Sequence, residues 1–95
     1  MTVEFAGARA HRAADAAQAA SFRACLVEER KAVALALVDS LVRLRACTEG
    51  EVVVGLRGMA RARLRVRELQ DKQRELDQLI SGLDRRFSAL WAIEG

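Results

Sequence analysis

The sequence predicts an all-α protein: a long antiparallel helical hairpin, coiled-coil-like, completed into a bundle by self-association or by a partner protein. Three observations predict it. The 95 residues contain no proline, tyrosine or asparagine and 18 alanines, so helix breakers and turn formers are scarce. A leucine heptad runs through Leu69, Leu76, Leu83 and Leu90, with Val52, Met59, Val66, Gln73, Ile80 and Phe87 at the complementary position. Near the midpoint, Thr48, Glu49, Gly50 and Glu51 interrupt the pattern and divide it into two arms of similar length. The whole chain, 1–95, reads as one helical-hairpin domain, with helix 1 over about 3–47, a turn over about 48–51 and helix 2 over about 52–93.

Helix 1 begins in an alanine-rich stretch. Nine alanines lie between Val3 and Ala20, interleaved with Arg9, His11, Arg12, Asp15 and Gln18, which favours helix despite Gly7 and gives a shallow face for close approach. From Phe22 the pattern deepens. Phe22, Leu26, Val33, Ala34, Leu37, Leu41 and Leu44 share one stripe, with Glu28, Lys31, Asp39 and Arg43 opposite. Ser21 offers a cap at which this long helix would kink. At the turn, Thr48 with Glu51 fits a capping box, whereas Gly50 fits a left-handed helix stop.

Helix 2 opens with conflicting signals. Val52, Val53 and Val54 are β-branched, and Arg61, Arg63, Arg65 and Arg67 alternate with Ala62, Leu64 and Val66, so a small β-hairpin between Glu51 and Arg67 competes. The heptad phase runs back through Val66 and Met59 to Val52 without a slip, which selects helix. Ser81 and Gly82 fall on outer positions, where the helix passes through them. A turn near residue 49 places Phe87, Leu90 and Trp91 over Gly7 to Ala14, and Gly55 and Gly58 near Ser40 to Leu44, so that large faces small.

Little in the chain points to chemistry at a site. His11 has only Asp15 at helical ligand spacing, and the pairs Glu28 with Glu29 and Asp71 with Glu75 sit beside basic residues on polar faces. Gly50, Gly55 and Gly58 do not form a phosphate loop. The expectation is therefore a non-enzyme with no cofactor and no metal. Cys25 and Cys47, 22 residues apart in one helix, are roughly 33 Å apart at ~1.5 Å per residue and read as reduced, buried or half-buried small hydrophobes rather than reactive thiols. With no apolar run of about 20 residues and no signal-peptide core, no membrane span is expected, and the localisation expected is intracellular and cytoplasmic.

The seam names a partner-binding set: Leu69, Gln73, Leu76, Ile80, Leu83, Phe87, Leu90 and Trp91. Its Trp91 end, with Phe87, Leu90 and Ile93, carries more apolar area than one alanine-rich helix covers. Gln73 either selects register or sits at a wet edge. The formal charge is +3, yet Arg57, Arg61, Arg63, Arg65 and Arg67 form a block with no acid between Val52 and Arg67. This block and the leucines after it, Arg57 to Leu90, resemble the basic-region leucine zippers, which implies phosphate contact with nucleic acid, although the asparagine with which that family reads bases is absent. In size and hairpin layout the chain is similar to small secretion-system chaperones, flagellar export chaperones and coiled-coil subunits of larger complexes; it carries Thr48, Glu49 and Gly50 in place of the Trp-x-Gly turn of small secreted bacterial hairpin proteins. The leading expectation is a non-enzymatic helical interaction subunit, an adaptor, chaperone-like or structural component, that packs on a protein partner or on further copies of itself. The alternative is a basic coiled coil that contacts nucleic-acid phosphates through Arg57 to Arg67; in an interaction subunit the same arginines pair with acidic residues of the partner or cover the core with their methylene stems.

Overall fold

A computed structural model describes the backbone of residues 2–94 and the side chains of residues 11–93. Two helices account for nearly all of it. Helix α1 spans Thr2–Thr48 and helix α2 spans Leu56–Glu94, and they pack lengthwise as an antiparallel hairpin measuring 72 × 22 × 15 Å. The 47 residues of α1, at ~1.5 Å per residue, set the long axis by themselves. Among the described residues no strand forms, and α1 runs through Ser21 and α2 through Ser81 and Gly82 as continuous helix.

The two candidate turn signals are separated by hydrogen bonds. The Gly50 amide donates to Cys47 O at 3.3 Å and the Glu51 amide to Ala46 O at 2.9 Å, with Gly50 at φ 79°: a left-handed stop of the Schellman type. The capping box does not form. Thr48 is the last residue of α1, and its hydroxyl donates backwards to Leu44 O at 2.8 Å. Beyond Glu51 the chain stays non-helical through Gly55, so α2 starts at Leu56 rather than near Val52. Gly55 is the cap residue, its carbonyl accepting from the Met59 amide at 3.0 Å. Three β-branched valines and two glycines weaken the helix here, and no α1 surface stands opposite to compensate.

The longer turn shifts the register. Asp84 faces Arg23, Asp77 faces Arg30, and Trp91 sits on Ala16. Trp91 therefore does not lie over Gly7 to Ala14, a stretch whose first four side chains are outside the described residues. The expected fit of small against large at the turn end is also absent. A Cβ on Gly58 would meet Val54 of its own connection at 3.1 Å, and one on Gly55 would meet nothing within 4 Å.

The core is a single row of knobs along this seam. Leu26, Val33 and Leu37 from α1 pack with Val66, Leu69, Leu76 and Ile80 from α2, and Val27, Ala36, Leu44 and Leu83 close around them. Leu76, at 1% exposure, is the best-buried large side chain. Towards the free ends the row narrows to Ala16 and Ala19, over which the aromatic residues of α2 lie.

Candidate interaction surfaces

The seam residues expected to meet a partner are in large part consumed by the hairpin itself. Leu69, Leu76 and Ile80 are buried against α1, and Gln73, Leu83, Phe87, Leu90 and Trp91 are half-buried along it. Trp91 shows why. Its indole Nε1 donates to the Ala16 carbonyl at 2.9 Å, and its ring stacks on Phe87 at 6.0 Å, so the tryptophan turns inward on the small face that the N-terminal alanines provide. Arg86 lies over the Phe87 ring, its guanidinium carbon 5.3 Å from the ring centre. Of the described residues that the sequence assigns to this apolar tip, Ile93, 82% exposed, remains uncovered.

The large uncovered apolar surface is on α1. Leu35 is 74%, Val38 59% and Val42 62% exposed, at a spacing of three and four residues that aligns them in one outward row. Val33 and Leu37, from the same turns, are buried against α2. This stretch of α1 is thus apolar on two faces, and α2 covers one. Leu41, taken with the inner stripe from the sequence, is 43% exposed beside the outer row, and Phe22 is 51% exposed. Val53 and Leu56, more than nine-tenths exposed, extend the apolar surface around the turn.

Charges line both edges of the seam. On one edge Arg23 grips Asp84 through Nε at 2.6 Å and Nη2 at 3.2 Å, and Arg30 meets Asp77 at 2.6 Å one heptad away. The hydrogen bonds from Arg23 hold the Asp84 carboxyl below its usual range, and those same bonds raise the Arg23 guanidinium. On the other edge Lys72 meets Glu29 at 3.4 Å. The sequence reading missed all three cross-helix pairs, because a register error of this size moves every partner.

The arginine block does not form one surface. Arg61 and Arg65 line a groove with Arg43 of α1, whereas Arg63 lines a hollow with Val54, Leu56 and Met59. Two residues along a helix are about 200° apart, so alternation in the sequence sends successive arginines to opposite flanks. Arg57 is exposed, and Arg67 falls on the Arg63 flank. Among the described residues none of these five makes an ion pair within the chain.

No protein-family model, curated protein or solved structure matches this chain. Its surfaces are therefore read from their own chemistry. His11 and Asp15 are exposed, and no group of three metal-ligating side chains occurs among the described residues. Cys25 is exposed, contrary to its expected buried or half-buried place, while Cys47 is half-buried, and both are free thiols. No described helix is long and apolar enough to cross a membrane.

Proposed function

We propose that this protein is a non-enzymatic helical interaction subunit, and that its first partner is a second copy of itself, packed through the outer row of α1. The observation that carries this reading is the Leu35, Val38 and Val42 row, exposed on a helix whose opposite face is already used. A helix apolar on two sides belongs inside a bundle. The surface area supports the same reading. A compact monomer of 10.5 kDa exposes about 5,400 Å², whereas this chain exposes 7514 Å². The surplus, roughly 2,000 Å² per chain, matches what each half of a large homodimer interface removes from water. Two hairpins joined on this face make a four-helix arrangement with a closed two-fold, the commonest form of helical self-association.

Sedimentation over a roughly hundredfold concentration range tests the reading, because a dimer dissociates on dilution and its melting temperature rises with concentration. Val38→Glu, at a site exposed in the hairpin, should give a helical monomer. A wild-type chain that is monomeric throughout, with a melting temperature independent of concentration, overturns the proposal.

A further inference from the structure

We infer that the groove between Arg43 of α1 and Arg61 and Arg65 of α2 is a binding site for a compact phosphate-bearing anion. The cross-helix charges suggest it first. Lys72 is matched by Glu29 on this edge of the seam, and one heptad towards the turn Arg65 stands where Ala36 replaces the acid. Arg61, one helical turn before Arg65, adds a second guanidinium on the same flank. Like charges at this spacing repel one another, and among the described residues neither has a carboxylate partner.

The shape fits the charge. Ala36 and Ala62 keep the groove floor low, Ser40 contributes a hydroxyl, and the space encloses about 350 Å³. Asp39, the one acid in the lining, forms an ion pair with Arg43, Nη2 to Oδ2 at 3.3 Å, which leaves two more guanidiniums unneutralised. Planar guanidinium forks on both walls suit the several oxygens of a phosphate group. The site is bounded rather than continuous. The Lys72–Glu29 pair stops it along the seam, and Arg63 and Arg67 lie on the other flank, so one or two phosphates fit and a long backbone track does not. Leu35, Val38 and Val42 do not line the groove, and Val38→Glu, which tests self-association, leaves all three groove arginines in place, so the two proposals fail independently.

Titration of the full chain with inorganic pyrophosphate, followed by thermal shift and by backbone amide resonances, tests this directly. Saturable binding is expected, with resonance shifts centred on Ala36 to Arg43 and Arg61 to Arg65. The double variant Arg61→Gln with Arg65→Gln should bind at least tenfold more weakly at unchanged helix content, while Arg63→Gln with Arg67→Gln should bind as the parent does; Arg43→Gln alone serves if the first variant loses helix. Citrate separates phosphate recognition from general anion attraction, and a thymidine oligonucleotide separates a compact site from a polyanion track. The proposal is overturned by no saturable response, by equal losses in both double variants, by citrate binding as tightly, or by oligonucleotide binding that grows with length in the absence of pyrophosphate binding.

Discussion

Single residues define where the hairpin ends and turns. Gly50 holds φ 79° at the close of α1, a conformation in which a Cβ is strained although no neighbour stands within 4 Å. Gly82 also has open space around it but lies in the middle of α2 with ordinary helical backbone. The same substitution should therefore act with opposite signs. Gly50→Ala is expected to cost about 1–2 kcal/mol, and Gly82→Ala to add about 0.5–1 kcal/mol, both read by urea denaturation. Equal effects at the two positions would contradict the left-handed stop. Gly50 was legible from the sequence as one of two turn signals, because a helix stop is a local demand. The inward turn of Trp91 was not, because nothing near it in the sequence marks Ala16 as the carbonyl it reaches.

At the scale of the helices, the cross-helix pairs mark how α1 and α2 are aligned against each other. The bidentate Arg23–Asp84 pair has a pH signature. Hydrogen bonds from Arg23 lower the Asp84 pKa in the folded state, so its contribution is present above the unfolded carboxyl value and is lost as pH falls through the lower folded value. Arg23, raised by the same contact, loses its contribution only in strong alkali. Acidification below the ordinary aspartate range should thus lower the melting temperature, and Asp84→Asn should flatten that dependence. A variant with the parent's full acid sensitivity would assign the effect to other carboxyls. The leucine seam of α2 was readable because period-seven spacing is written along one helix. The inner stripe of α1 was readable in the same way, and its Leu26, Val33, Leu37 and Leu44 pack on α2; the second apolar row of Leu35, Val38 and Val42 was not, because spacing along one helix does not say whether a further face is covered.

The whole molecule is one layer of contact between two long rods, so the middle of the seam holds both. Leu76→Ala empties its most buried position and is expected to cost 2–5 kcal/mol. Because neither helix has a second described surface to lean on within the chain, the loss should appear as one cooperative transition in which α1 and α2 melt together. Two separate transitions by circular dichroism and tryptophan fluorescence would show that one arm stands alone. The same thinness explains why seam residues that looked available to an outside partner are occupied: a hairpin this narrow has no other core to build.

What the sequence by itself determined is the local part of the design: helical content in both arms, a break near the midpoint, and a leucine seam on α2. Each depends on residues within one or two turns of one another. The tertiary structure alone decided the register, the start of α2 at Leu56, the meeting of Arg61 and Arg65 with Arg43 of α1 across one groove, and the face of α1 left open. Those follow from the length of the non-helical connection and from which of two apolar faces α2 occupies. Both are set by long-range packing, where a few residues added to a turn move every opposing side chain by about 1.5 Å per residue.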